Sequence, residues 1–363
     1  MTAPCPPGAA LPPADSDPAR TFMHAEAAEA GDAVRRFLSR NQATLAELGA
    51  RLRTLAPAMV VTCARGSSDH AATYAKYMFE TACRVPTVSA AFSTVSLYDP
   101  PVPAQDGPAT LCLAISQSGR SPDLLATVAQ QRQAGALVVA LVNDEASPLA
   151  ALADAVLPLC AGVETSVAAT KSYIASLAGI AALTAAWSRD TALAAAIEAL
   201  PAQIETAFAL DWSAILPDLT AATNLFVIAR GHGLAIAQEA ALKLKETSAL
   251  HGEAFSAAEV RHGPMAVVRS GFPVLGFAGS DLAGDDVRTI CAEFAGRGAH
   301  VWLADARADI PPGVHALPAL TARPELEPLL MIASFYRMAN ALSLARGHDP
   351  DRPPYLAKVT RTR

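Results

Sequence analysis

VVTCARGSSDHAATYAKYMFE, residues 60–80, and LFVIARGHGLAIAQEAALKLKE, residues 225–246, decide how this chain folds. Each opens with a short, continuous apolar run, breaks at Arg-Gly (Arg65-Gly66 and Arg230-Gly231) and continues in a helical pattern. A strand apolar at every position is buried on both faces, as in a parallel sheet covered by helices. The same strand–turn–helix unit met twice indicates two copies of one α/β sandwich.

Residues 58–64, 109–116 and 137–143 read as strands of the first copy, with helices over 70–84 and, after the loop QSGRSPD (117–123), to about 135. Residues 165–208 read as helical almost throughout, broken near Asp190 and Pro201. In the second copy, residues 225–229, 273–278 and 301–304 read as strands and 325–346 as a closing helix. The expected organisation is a Pro-rich tail over 1–22, a helical segment over 23–55, α/β domains over 56–210 and 211–348, and a C-terminal tail over 349–363.

Composition narrows the function. At 363 residues, with roughly 100–200 per domain, the chain has room for two domains. Hydrophobic residues make up 52% and charged ones 17%, which describes a core-rich globular protein. Lys and Arg total 28 against 34 Asp and Glu, a net charge of −6 with no basic block, which argues against a nucleic-acid partner. The longest apolar stretch, 172–187, is alanine-rich and stops short of the roughly 20 residues a membrane span needs, so it reads as a buried helix. Pro4, Pro6, Pro7, Pro12, Pro13 and Pro18 occupy an N-terminus that lacks a basic start and an apolar core, so no signal peptide is expected, and Met23 offers an alternative start. The six cysteines (Cys5, Cys63, Cys83, Cys112, Cys160, Cys291) show no CxxC and the eight histidines no HExxH. The expectation is a cytoplasmic protein without metal or disulfide framework.

In open parallel sheets, ligands bind beyond the carboxyl ends of the strands, near helix N-termini. Two loops take that position: Arg65-Gly66-Ser67-Ser68 and Ser116-Gln117-Ser118-Gly119-Arg120-Ser121. Hydroxyls, an amide and exposed backbone N–H groups are what a phosphate dianion needs. Serine and glycine also make ordinary turns and caps, but two such loops at equivalent strand ends favour an oxyanion. No GK[ST] and no GxGxxG follows, so a nucleotide is not favoured. The second copy has RGHG at this place and lacks the serines. Its helix instead carries Glu239, Lys243 and Glu246 at i, i+4 and i+7, on one face. That spacing describes either a solvated charge stripe or one wall of a cleft. Glu253, Glu259, Arg261 and His262 in HGEAFSAAEVRHGP add acid–base groups to a charge-poor chain and favour the cleft.

These residues also carry a family resemblance. ARGSSDHAATYAKYMFE, SQSGRSPD, AGVETSVAATKSY, QEAALKLKETSALHGEAFSAAEVRHGP and PYLAK resemble, in order and over about residues 60–360, the sugar-isomerase (SIS) half of the glucosamine-6-phosphate synthases. The resemblance implies two tandem SIS domains, each a flavodoxin-like, three-layer α/β sandwich with a parallel sheet. It implies that Ser68, Ser116, Gln117, Ser118 and Ser121 hold a sugar 6-phosphate, with Ser67 in the same loop, and that Val167 and Ala169 line the sugar. It assigns Glu246 to move a proton between C1 and C2, and His262 to assist ring opening from a partner subunit of a homodimer. Lys358 is to approach C2, and Lys243 and Glu239 complete the cleft. Arg65 stands where the synthases commonly have cysteine, and Ala169 where they commonly have serine.

A synthase also needs a glutaminase domain beginning with cysteine. Here removal of Met1 exposes Thr2, and Cys5 lies in the proline tail. The reading that follows is a deaminase that isomerises glucosamine 6-phosphate to fructose 6-phosphate and ammonia without metal or organic cofactor. A deglycase of fructosamine 6-phosphates, a galactosamine-6-phosphate deaminase/isomerase and a non-catalytic sugar-phosphate sensor are the alternatives. Aldose–ketose interconversion needs a carboxylate base, and an apolar cleft is expected to raise the pKa of Glu246 above the ordinary glutamate value of about 4.3.

Overall fold

The computed structural model describes residues 17–98, 101–102 and 107–358. Thr2, Cys5 and residues 359–363 lie outside them. In chain order the elements are α1 (Phe22–Ala28), α2 (Ala30–Leu55), β1 (Met59–Cys63), α3 (Ser67–Met78), β2 (Thr87–Ser89), α4 (Phe92–Tyr98), β3 (Thr110–Ser116), α5 (Pro122–Gln133), β4 (Leu137–Val142), α6 (Pro148–Leu152) and β5 (Ala155–Pro158). There follow α7 (Lys171–Ser188), α8 (Thr191–Phe208), α9 (Leu216–Ala221), β6 (Asn224–Ala229), α10 (Leu234–Ser248), β7 (His251–Ser256), β8 (Pro273–Ala278), α11 (Leu282–Gly296), β9 (His300–Asp305), β10 (His315–Leu317) and α12 (Glu327–Ala345).

The two sheets have the same design. The first runs β2-β1-β3-β4-β5 and the second β7-β6-β8-β9-β10, with every described pairing parallel. Both are the flavodoxin-like 2-1-3-4-5 order. Burial follows the pleat. Leu111, Leu113 and Ile115 of β3 face a central core, while Cys112 and Ala114 face a separate outer core with Val138 and Leu124. In β6, Leu225 and Val227 face the same central core, and Phe226 and Ile228 an outer one with Phe294 of α11. The helices α2, α3, α7, α10 and α12 lie between the two sheets in one continuous apolar cluster. The domains therefore share their inner helical layer.

The alanine-rich stretch is the buried helix α7, whose Tyr173, Ile174, Leu177, Ile180 and Leu183 all lie in the core. No single helix among the described residues is long and apolar enough to cross a membrane. Two helix expectations change. Residues 161–170 form a loop, and helix begins only at Lys171. Pro201 does not break α8, because it sits on the buried face with Leu193, Ile197, Leu200 and Ile204, where packing offsets the lost backbone hydrogen bond. The break at Asp190 stands: Arg189 is left-handed, and the Asp190 carboxylate caps Leu193 N–H at 2.8 Å. Within the expected 1–22 tail, the described residues are already ordered in turns: Pro18–Arg20 form a 3-10 turn and the Thr21 hydroxyl caps α1.

Candidate active site

The order 2-1-3-4-5 places a topological switch point between β1 and β3, and the two serine loops leave those strands side by side. They form one wall of a cleft of about 230 Å³. Ser67, Ser68, Ser116, Gln117, Ser118 and Ser121 all line it. Val167 and Ala169 come from the 161–170 loop, Lys243 and Glu246 from α10, and Lys358 from the C-terminal tail. The first domain's loops, the second domain's charged helix and the tail thus meet at one place.

The Ser116–Ser121 loop is shaped by its own contacts. Ser116 Oγ accepts the N–H of Gly119 at 2.9 Å, which closes the turn and leaves the hydroxyl proton to donate. Gly119 has φ +63°, and a Cβ there would meet Ser147 Oγ at 2.3 Å, so only glycine fits. Ser121 precedes α5 in an extended conformation without capping it through its side chain, so its hydroxyl stays available at the helix N-terminus. Arg65 stands at the mouth, donating through Nε and Nη2 to the buried Asp123 carboxylate (3.1 and 2.7 Å) with its guanidinium carbon 4.3 Å from the centre of the Phe92 ring.

The charged helix face is not a solvated stripe. The Glu239 and Lys243 side chains are 0% and 1% exposed and that of Glu246 21%. Glu239 lies behind the cleft wall as a hub. Its Oε1 accepts the hydroxyls of Ser67 (3.0 Å) and Tyr336 (3.1 Å), and its Oε2 pairs with His70 Nδ1 at 2.9 Å. Lys243 bridges Glu239, at 3.4 Å, and Glu246, to which it donates a short hydrogen bond. Burial pushes the Glu239 carboxyl up, but the Lys243 ammonium, His70 and Ser67 outweigh it and hold its pKa below the ordinary value. Burial likewise pulls Lys243 down, and the two carboxylates outweigh it in the other direction. Glu246 lies at the cleft edge with its carboxylate against the Lys243 ammonium.

This buried pair carries a stability prediction. Glu239→Gln takes one of its two carboxylate partners from the buried Lys243 ammonium and should cost about 1–3 kcal/mol. The sign with pH follows from the two shifts. Glu239, lowered in the fold, stabilises above its usual value near 4.5 and loses that contribution as pH falls through its folded value. Lys243, raised in the fold, stabilises below about 10.5 and loses its contribution as pH rises beyond. Urea unfolding from pH 3 to 7 should therefore show a shallower acid-side fall in Glu239→Gln than in the parent, and identical slopes would contradict the assignment.

Lys358 Nζ donates to Glu164 Oε2 at 3.1 Å and to Ser166 O at 2.6 Å. Glu164 also accepts Thr170 N–H, Ser172 N–H and the Ser172 hydroxyl, so the tail lysine docks on the anion that orders the 161–170 loop. His262 is not brought to this cleft by its own chain; it is exposed on a 3-10 turn, Glu259–His262. Glu253, Glu259 and Arg261 are exposed too and form no part of the cleft. HGEAFS is the edge strand β7, and Arg261 pairs with Glu293 at 2.6 Å. Sequence reasoning missed His70, Tyr336, Glu164 and Asp123. Glu164, His70 and Asp123 stood inside the quoted AGVETSVAATKSY, ARGSSDHAATYAKYMFE and SQSGRSPD segments, but the contacts of His70, Asp123 and Tyr336 span 58 to 169 positions and leave no local signal.

The equivalent switch point of the second domain holds an internal anion. Just beyond β8, the N–H of Ser280 donates to Glu327 Oε2 at 2.7 Å, and Ala322 N–H donates to Oε1 at 3.2 Å. Burial raises the Glu327 pKa, with those N–H groups opposing it. Glu327 thus accepts, beyond β8, backbone N–H groups at the place where the first domain presents its serine loop.

Comparison with known proteins agrees with this duplication. The SIS domain family matches residues 58–186 and again 218–304. The glutamine–fructose-6-phosphate aminotransferase [isomerizing] of Aeropyrum pernix is 37% identical over 276 residues, covering 71% of this chain and 44% of that protein. The chain spans about half the length of the curated relatives it matches. Among solved structures, a Silicibacter pomeroyi protein provisionally named a phosphosugar isomerase is 40% identical with a TM-score of 0.85, covering 91% of this chain and all of that one. The glucosamine-6-phosphate deaminase of Thermotoga maritima shares the fold at 19% identity and a TM-score of 0.74, covering 94% of this chain and 100% of that one. With both halves matched and the same sheet order in each, the chain belongs to the SIS domain family and carries two of its domains in tandem.

Proposed function

We propose that the protein is a phosphosugar isomerase that deaminates glucosamine 6-phosphate, giving fructose 6-phosphate and ammonia. The observation that carries this reading is the meeting, in one small cleft, of a neutral hydroxyl-lined anion cradle with an ion-paired carboxylate and two ammonium groups. The cradle of Ser68, Ser116, Gln117, Ser118 and Ser121 takes the phosphate, and the open-chain sugar extends past Val167 and Ala169 toward α10. Glu246 removes the C2 proton, leaving an enolamine, and returns a proton to C1 to give the C2 imine. Water then adds to C2 and ammonia leaves, so atoms balance without oxidant or reductant. Lys243 orients Glu246 while Glu239 fixes Lys243, and Lys358 stabilises charge developing near C2. His262 is assigned to the cleft of a second copy in a homodimer, because in its own chain it is exposed and lines no part of the site.

The test, run without glutamine, is ammonia release from glucosamine 6-phosphate and galactosamine 6-phosphate and free-amine release from a fructosamine 6-phosphate. Release from the first at the highest kcat/KM supports the reading. Binding without release from any would make the protein a sensor, and a faster second or third substrate would move it to the corresponding deaminase/isomerase or deglycase.

The phosphate assignment makes its own prediction. Each hydrogen bond to a charged group is worth about 1.5–3 kcal/mol, so Ser116→Ala with Ser118→Ala should raise KM by about a hundredfold or more. Ser118→Ala alone separates binding from loop shape, because of the two serines it is Ser116 that holds Gly119. An unchanged KM in the double variant would remove the phosphate from this loop.

A further inference from the structure

We infer that Asp351 is a positioning residue for Lys358, acting through a latch between the C-terminal tail and helix α1. The inference rests on the reading of Lys358 as a site residue. Asp351 uses both carboxylate oxygens on the first turn of α1: Oδ2 accepts Phe22 N–H at 2.8 Å and Oδ1 accepts Met23 N–H at 2.7 Å. These N–H groups have no partner within the helix, and an anion suits that end of it. The Met23 side chain is fully buried, so the joint is fixed to the core.

From this joint the contacts return to the cleft. Asp351 O accepts Val167 N–H at 3.2 Å, and Pro350 O accepts the Ser166 hydroxyl at 3.4 Å. From the other side, Glu26 of α1 accepts the N–H groups of Thr165 and Ser166. Lys358 then closes on Ser166 O and Glu164. The result is a ring of contacts: α1 holds the 164–167 segment through Glu26 and the tail through Asp351, and the tail lysine docks on that segment. Between the anchors, residues 354–357 are exposed. The direction and reach of Lys358 are therefore set at its two ends, and Asp351 is the end that does not itself line the cleft.

A double-mutant cycle on glucosamine 6-phosphate turnover tests this. Asp351→Ala should lower kcat about tenfold or more with KM changed less than about twofold, since the serine cradle is intact. In a Lys358→Ala background the same substitution should change kcat less than about twofold, because the group it positions is gone. Asp351→Asn, which keeps one acceptor oxygen, should recover part of the rate and serves if the alanine variant does not fold. Trypsin cleavage after Lys358 should speed up in Asp351→Ala, a readout of tail release that needs no turnover. Unchanged kcat and cleavage in Asp351→Ala, or equal kcat losses in both backgrounds, would overturn the latch. Wild-type turnover in Lys358→Ala alone would instead overturn the role of the lysine on which the latch depends.

Discussion

Glu246→Gln should still bind glucosamine 6-phosphate within a few-fold of the parent but turn it over at least about a thousandfold more slowly. Glutamine keeps the length and one acceptor oxygen but cannot take the C2 proton. General base catalysis contributes about 10²- to 10⁴-fold, and here the same group must also deliver the proton to C1. The structural alternative is that Glu246 only neutralises Lys243. In that case its loss leaves Lys243 paired with Glu239 and costs on the order of 1–3 kcal/mol of stability, with little change in rate. Binding by calorimetry, kcat from ammonia release and a thermal melt separate the two. A variant less stable but catalytically normal would make Glu246 a counter-ion and leave the cleft without its base.

Lys358→Ala, or deletion from Pro354 onward, should lower turnover by two or more orders of magnitude while leaving the melting temperature within about two degrees. The asymmetry follows from where the tail is fastened. Residues 354–357 are exposed, with Tyr355 96% exposed, so their removal takes little from the core. The Asp351 joint and the buried Pro350 and Pro353 remain. Glu164 loses one cation but keeps three donors from Thr170 and Ser172. An active truncation would show that Lys358 touches no reacting atom.

What could be read beforehand was what is dictated locally. β1, β3, β4, β6, β8 and β9 include every central strand of the two sheets, buried on both faces, and their continuous apolar runs gave them away. β2, β5, β7 and β10 are the edges. An edge strand has one neighbour and less cover, so TVS, AVLP and HAL carry too short a run to register, and HGEAFS reads as a polar segment. That misreading placed Glu253, Glu259 and Arg261 in a cleft they do not line. The face formed by Glu239, Lys243 and Glu246 was legible because helical spacing alone creates it. That it is buried was not, because burial depends on Ser67, His70 and Tyr336 arriving from α3 and α12. Asp351 had no local signature at all: its partners lie 329 and 328 positions earlier.

The most direct test of the whole account is the fate of the C2 hydrogen of glucosamine 6-phosphate in deuterium oxide, followed by NMR with the purified wild-type chain and no glutamine. Loss of the C2 proton signal, deuterium at C1 of the fructose 6-phosphate formed, and one ammonia per sugar are the expected result. Retention of the C2 proton together with absence of ammonia, in a protein that binds the sugar, would contradict it.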